Sequence, residues 1–544
     1  IYYHNSYWAA PGMSYLFINS IPLAHTRNEL YKAWCEGIRK VWVLNVGAIK
    51  PLEQEISFYL NFAWEVGKDN PPRRTDDVDE YLKLWINETF SGQHGEKLAG
   101  ILNDFSQLTN VRKIELMDSD VFSQTAYGDE AAARINRYAK LVREADKVYE
   151  TLQDDEKDAF FQICLMKIHA AYYTNCMFYY ADRSYLCTKQ GKCQAAYKYA
   201  GLSRQYDDKR RRLIFYYNTI MAGGKWSGIL TPEDFPPPRT AMLPACVVPL
   251  TPLEETEKRL VVTVWNDEDR IDFVNGRKRW FELANAGEGE LDVKVELPKW
   301  LDIVGGTAYA NGGDHTYKAE FSVGAERRIM VQPAHKPEII KFCFDSEEDL
   351  LNAEQAYYGG IESGKALVTG KIRIVCDETG QSVEIPVSVD FGKMKLSHER
   401  GVIVEDGNVV SLEADSIPPE AVGTGWRVVK RLGRGHGALI EAVADCKEDD
   451  DTQQCADKDN HADNRIGKND ESTGVKFNFY INEAATAPML EVHRFPSLNS
   501  TGRIRAEVSV DGGERLLVES KSNDEWRGTW KQNIFDNVDK LMLA

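Results

Sequence analysis

The apolar residues of this chain change their period once, across a proline-rich segment, and that switch limits the fold more than any other feature. Over residues 72–230, Ile135, Tyr138, Leu141, Val142, Ala145, Val148, Tyr149 and Leu152 recur at helical spacing with charged residues between them, as on a helix buried along one stripe. Gln153-Asp-Asp-Glu156 separates this helix from an apolar one at 158–181, so the span is expected to be an all-α bundle. Residues 231–252 then hold seven of the twenty prolines, including Pro236-Pro-Pro238. Proline fixes φ and lacks an N–H donor, so neither a helix nor a central strand survives there; a linker packed along a surface is expected. Beyond it the period is two. Leu291, Val293, Val295 and Leu297 alternate with Asp292, Lys294 and Glu296; Val383, Ile385, Val387 and Val389 do likewise, as do Ile504, Ala506, Val508 and Val510, which lead into Asp511-Gly-Gly513. Half-buried strands ending in Gly/Asp turns imply β-sandwiches. The span is too long for one, so it divides into sandwiches at 253–397 and 398–544, the second unfinished at its last strand and carrying an acidic surface loop at 446–473.

Residues 1–71 follow a third grammar. A helical stretch, Thr26 to Gly37, leads into Val41-Trp-Val-Leu-Asn-Val46, apolar up to its Asn, as a strand buried on both faces would be. Gly47 breaks it, and Pro51 opens a second helix carrying Leu52, Ile56, Tyr59, Leu60 and Ala63. Helix, buried strand, loop, helix belongs to an α/β barrel or a doubly wound sheet. The fold class is therefore multidomain α+β.

Composition narrows function by exclusion. A formal charge of −18 argues against a phosphate-backbone ligand, hence no nucleic-acid partner. The nearest approach to a membrane span, Phe160 to Tyr180, carries Gln162, Lys167, His169 and Asn175, so it reads as a buried helix of a soluble domain. There is no G-x-S-x-G, Walker loop or H-E-x-x-H, and the histidines lack metal-ligand spacing, so no cofactor or metal is expected. Gly433-Arg-Gly-His-Gly437 reads as a turn, Asp457 to Asp463 as solvated charge and Arg210-Arg-Arg212 as an exposed helix face. Cys187/Cys193 and Cys446/Cys455 are spaced for short disulfide loops, with buried thiols the alternative. Asn87-Glu-Thr and Asn499-Ser-Thr fit glycosylation sequons, which a chain this long also yields by chance.

What remains is the N-terminal segment. Tyr2-Tyr-His4 and Tyr7-Trp8 group aromatic and imidazole side chains, Asn45 ends the strand beside Gly47, and Lys50 follows. At the mouth of an α/β barrel, where strand C-terminal ends gather, His4, Tyr7, Asn45 and Lys50 would hydrogen-bond a polyhydroxy, carboxylate-bearing ligand. The alternative leaves His4 satisfied in a core and Asn45 in an Asx-turn.

The same residues resemble a known family. Tyr2-Tyr-His4-x-x-Tyr7, Ser14-Tyr15-x-x-Ile18-Asn19 and Val43-Leu-Asn-Val-Gly-Ala-Ile-Lys-Pro-Leu-Glu53 closely resemble glycoside hydrolase family 115, the xylan α-1,2-glucuronidases. The likeness continues in Arg112-Lys-x-Glu115, Asp158-Ala-Phe-Phe161, Arg270-Ile-Asp272, Gly425-Trp426 and Leu432-Gly-Arg-Gly435, while Lys225-Trp-Ser-Gly and the triple proline resemble the fungal branch. The resemblance implies the C-terminal part of a (β/α)8 barrel at 1–71, then the bundle and the sandwiches. It implies a secreted enzyme that releases glucuronic acid, or its 4-O-methyl ether, from glucuronoxylan with inversion, and it allows a homodimer. His4, Tyr7 and Asn45, with Lys50, would contact substrate. The carboxylate pair of an inverting hydrolase is expected upstream of Ile1, leaving the catalytic residues unknown here and a stand-alone chain with these boundaries inactive. Ala48 stands where the family usually has Asp. Branch variation explains this, or lost catalysis in a carbohydrate-binding scaffold homologue; arabinogalactan is an alternative substrate.

Overall fold

A computed structural model describes residues 1–5, 18–47, 49–68, 73–91, 94–114, 117–119, 121–230, 244–275, 277–298, 300–305, 309–310, 316–333, 367–390, 393–394, 402–423, 425–433, 437–442, 474–481, 488–495, 505–519 and 538–543. The acidic stretch 446–473, Cys446, Cys455 and Asn499 lie outside them.

The chain opens with β1 (Tyr2–His4), α1 (Leu23–Cys35), β2 (Val43–Asn45) and α2 (Glu53–Glu65). The strands pair in parallel, and α1 and α2 cover one side of the pair. There Leu30, Tyr59, Phe62 and Val66 form a small core with Ile1, Tyr3, Trp34, Trp42 and Leu44. β2 is shorter than Val41–Val46 and is not buried on both faces: Val41 and Val43 are exposed. Among the described residues β1 is its one partner.

Helices follow as the periodicity requires: α3 (Val78–Thr89), α4 (Gly95–Val111), α5 (Glu130–Tyr149), α6 (Asp154–Phe160), α7 (Met166–Lys189) and α8 (Cys193–Phe215). α3 is capped by Asp77, whose carboxylate accepts from the N–H groups of Asp79 and Glu80. The apolar helix is interrupted by one turn of π-helix at Phe161–Leu165, and a second π turn at Tyr216–Ile220 ends α8. Phe58, Tyr81, Phe105, Tyr138, Phe160 and Ile168 belong to one continuous core, so α2 is packed into the bundle rather than beside it. Among the described residues no helix is long and apolar enough to cross a membrane. Each polar residue of the apolar run has a partner: Gln162 with Glu53, Lys167 with Glu55, His169 with Asp146, and Asn175 with Arg134.

The described part of the proline-rich segment, 244–252, lies along α7 and α8: Val247 accepts from Thr188 and donates to Ser184, and Tyr197 donates to the Pro249 carbonyl. Two sheets then enclose a second core. β3 (Leu260–Val264), β4 (Ile271–Phe273), β5 (Arg279–Asn285), β6 (Leu291–Pro298), β7 (Leu301–Ile303), β8 (Tyr309–Ala310), β9 (Thr316–Val323), β10 (Arg327–Pro333), β11 (Leu367–Cys376) and β12 (Gln381–Asp390) form the orders β3-β5-β10-β7 and β4-β12-β11-β6-β9-β8. β6 alternates buried and exposed residues as its sequence does. β5 departs from that pattern, with all seven residues buried. Phe281 and Leu283 face the inter-sheet core, while Glu282 on the other face is covered by the bundle. From 402 onward the described strands form four pairs, 403–404 with 479–480, 426–430 with 438–442, 489–493 with 538–542 and 505–508 with 516–519. The turn at Asp511-Gly512 has both residues at positive φ, as its sequence demands.

Bundle and sheets are joined by a buried ion network. Glu282 and Glu326 both accept from Arg183, and Lys192 Nζ lies 2.6 Å from Glu282 and 2.7 Å from Glu326. Arg328 bridges Glu282 to Asp129, the N-cap of α5. Burial alone would raise the Glu282 carboxyl, but Lys192, Arg183 and Arg328 outweigh it and hold the group well below the ordinary value. A depressed carboxyl stabilises the fold above its unfolded pKa, and that contribution is lost as pH falls through the folded value. Glu282→Ala, which leaves buried cations uncompensated, is expected to cost roughly 3–5 kcal/mol. Scanning calorimetry checks both points: a lower melting temperature for the variant at pH 7, and less loss of stability than the wild type on acidification below the ordinary glutamate value of about 4.5.

Cys187 and Cys193 are both free, so the first of the two disulfide alternatives does not hold. Burial pushes the thiols of Cys164, Cys176 and Cys187 up to about 12. Thiolate, the reactive form, is therefore scarce there at neutral pH. Peptide mapping after iodoacetamide treatment at pH 8 should find these three unmodified in the native protein and alkylated in denaturant.

Candidate functional site

Parallel pairing places the C-terminal ends of β1 and β2 together, and the register sets His4 opposite Asn45. Side chains alternate across a strand. Tyr3 and Leu44 point into the core beneath α1 and α2, while Tyr2, His4, Val43 and Asn45 share the other face. Tyr2 and His4 rings lie 4.9 Å apart there, and Tyr2 is largely exposed. The amide nitrogen of Asn45 and Nδ1 of His4 are 2.9 Å apart. With the amide donating, Nδ1 accepts, so a neutral imidazole carries its proton on Nε2. Of the residues read from the sequence, His4 and Asn45 are thus brought together. Neither is closed away in a core: both are partly exposed. Tyr7 lies outside the described residues, as does Ala48.

Lys50 sits in the loop between β2 and α2, where the Lys50–Pro51 peptide is cis. Its ammonium is 2.6 Å from Glu53 Oε1 and 5.2 Å from the centroid of the Trp226 ring. Glu53 opens α2 and accepts from the Gln162 amide, and Gln162 in turn accepts from Tyr217 at 3.2 Å. Gln162 and Tyr217 occupy the two π turns, a distortion of helix geometry that often marks functional sites. Burial, with the Glu53 carboxylate adding to it, pushes the Tyr217 phenol upward, so it acts as a neutral donor. One turn along, Lys167 and Glu55 form a buried ion pair at 3.4 Å. The loop holding Lys50 is thereby tied to the bundle through both carboxylates at the start of α2.

Glu53, Gln162, Tyr217 and Trp226 escaped the sequence reading as a group. The available signal was polar side chains inside an apolar run, which must find partners when buried. Two cavities, one lined by Asn19, Glu55, Asn103 and Lys167 and one by Gln124, Arg134 and Asn175, measure about 20 Å³ each. That is room for a water and not for a sugar ring. No group of His, Cys, Asp and Glu able to hold a metal occurs among the described residues.

Residues 1–116 match the family model described as glycosyl hydrolase family 115. That segment belongs to glycoside hydrolase family 115. The family 115 match takes in β1, β2, α1 to α4 and the Arg112-Lys-x-Glu115 run, while the later resemblances lie outside it. Among solved structures, one similar to this chain is described as a family 115 4-O-methyl-α-glucuronidase with specificity for decorated arabinogalactans. It is 17% identical, the alignment covers 61% of this chain and 49% of that one, and the TM-score is 0.36. The chain thus spans about half the length of that structure. No curated protein matches the chain.

Gln162→Leu removes one amide and leaves the Tyr217 hydroxyl and one Glu53 contact unmet. A loss of about 1–3 kcal/mol is expected, seen as a lower denaturation midpoint in urea with an unchanged slope.

Proposed function

We propose that this chain is part of a secreted glycoside hydrolase that removes glucuronic acid, or its 4-O-methyl ether, from glucuronoxylan with inversion. Residues 1–71 contribute to a (β/α)8 barrel, 72–230 form the helical bundle, 231–252 the linker, and 253–397 and 398–544 two β-sandwiches. His4, Tyr7, Asn45 and Lys50 contact the uronic acid at the barrel mouth. The observation carrying this reading is the parallel register that sets His4 against Asn45 on the face of a β/α unit opposite its helices, inside the segment that matches the family.

The chemistry suits the substrate class. A uronic acid offers hydroxyls, which donate and accept, and a carboxylate, which accepts only. The His4 imidazole and the Asn45 amide supply hydrogen-bonding groups, and the Lys50 ammonium, paired with Glu53, supplies a further donor. By fixing the tautomer of His4, Asn45 decides which of these groups donates. An inverting hydrolase also needs an acid and a base on opposite sides of the sugar, some ~6.5–9.5 Å apart; the four residues named here bind and orient, and are not that pair.

Calorimetric titration of a glucuronic-acid-substituted xylo-oligosaccharide tests the reading. The wild type is expected to bind, and Asn45→Ala to bind about tenfold more weakly, the loss of one hydrogen bond to a charged or polar ligand. Absence of binding, or unchanged affinity in Asn45→Ala, overturns it.

A further inference from the structure

The segment Met221 to Ile229, between the second π turn and the proline-rich stretch, is a closed loop. At its base the Asn218 amide both donates to the Leu230 carbonyl and accepts from the Leu230 N–H. Its first turn runs through three residues at positive φ: Ala222 at 49°, Gly223 at 67° and Gly224 at 76°. Ala222 has a Cβ and is strained in that region; its N–H is held by the Asp158 carboxylate at 3.1 Å. The turns Lys225 N to Ala222 O, Ser227 N to Gly224 O and Ile229 N to Trp226 O follow. Compact loops with pinned ends of this kind are frequently functional.

What this loop holds out is Lys225 and Trp226. The Lys225 ammonium lies 4.8 Å from the Trp226 ring centroid, and the Lys50 ammonium lies 5.2 Å from the same ring. One indole therefore gathers two cations by cation–π attraction. Of the two, Lys50 is neutralised by Glu53 at 2.6 Å; among the described residues no carboxylate lies within ion-pair distance of Lys225. In a chain with a net charge of −18, Lys225 is thus an ammonium without an ion-pair partner among the described residues, on the loop whose Trp226 meets Lys50. An anion brought beside the unpaired ammonium is attracted to it.

We propose that Lys225, Lys50 and Trp226 form a seat for the carboxylate of a uronic acid, with the indole holding both ammonium groups in place. The inference rests on the uronic-acid reading above and adds to it residues of the helical region, so that the acid group of the ligand is recognised by the bundle while its hydroxyls meet His4 and Asn45. Ligand specificity then follows from charge: a hexuronate binds and the matching neutral hexose, which lacks the carboxylate, leaves the seat empty.

Calorimetric titration with D-glucuronate and with D-glucose tests this on the full chain. Wild type is expected to bind glucuronate more tightly than glucose, and Lys225→Gln to bind glucuronate about tenfold more weakly, the loss expected for one charge-assisted contact. Lys225→Arg, which keeps the charge, is expected to retain affinity within about threefold, a difference of well under one charge-assisted contact. Lys225 is exposed, and circular dichroism checks that each variant is folded. If Asn45→Ala weakens glucuronate binding while Lys225→Gln leaves it unchanged, the carboxylate seat is refuted and the broader reading stands. If neither variant changes the affinity, or the wild type shows no preference for glucuronate over glucose, the seat is refuted together with the reading beneath it.

Discussion

The geometry of the candidate site depends on how the first turn of α2 is held. Glu53 and Glu55 are carboxylates at a helix N-terminus, where the helix dipole favours negative charge, and each is met from the bundle: Glu53 by Gln162 and Glu55 by Lys167. Buried polar groups of this kind are costly unless paired, so the pairing fixes where α2 begins. The segment between β2 and α2 thus runs from the β1–β2 register to an anchored helix start. A two-stranded parallel sheet is not a stable unit in isolation. It stands here because α1 and α2 seal one face and the bundle core runs without a break into α2.

How much of this was legible in the sequence differs by region. Strands such as β6 stood out because one face meets the core and the other meets water, and the pattern of Leu291 to Leu297 records that difference directly. β5 did not, since its second face is covered by helices and Glu282 is buried with Arg183 and Lys192 from far upstream. Spacing along the chain carries no information about such partners. The strand at Val41 to Val46 misled for the opposite reason: an apolar run fits a strand covered on both faces, whereas Val41 and Val43 are exposed. At the site itself, His4 could be singled out for its aromatic neighbours and Asn45 as the polar end of an apolar strand. The Glu53–Gln162–Tyr217 chain could not be assembled, although Gln162 was already conspicuous as a polar residue in an apolar helix.

The bundle works as more than a neighbour of the N-terminal segment. On one side it grips α2; on the other its helices α7 and α8 engage β5 and β10 through a network in which three cations, Arg183, Lys192 and Arg328, balance three carboxylates, Glu282, Glu326 and Asp129. The same helices carry the two π turns, and the second of these leads directly into the loop bearing Lys225 and Trp226. Local helix distortion, loop placement and the orientation of the sheets are therefore set within one packed unit.

A crystal structure of the chain soaked with D-glucuronate tests the central claim most directly. The expected result is a sugar ring over the C-terminal ends of β1 and β2, with His4 and Asn45 at hydrogen-bond distance from its hydroxyls. A ring bound elsewhere, on the β-sheets or on the far side of α1 and α2, with the face of Tyr2 and His4 left empty, would contradict it.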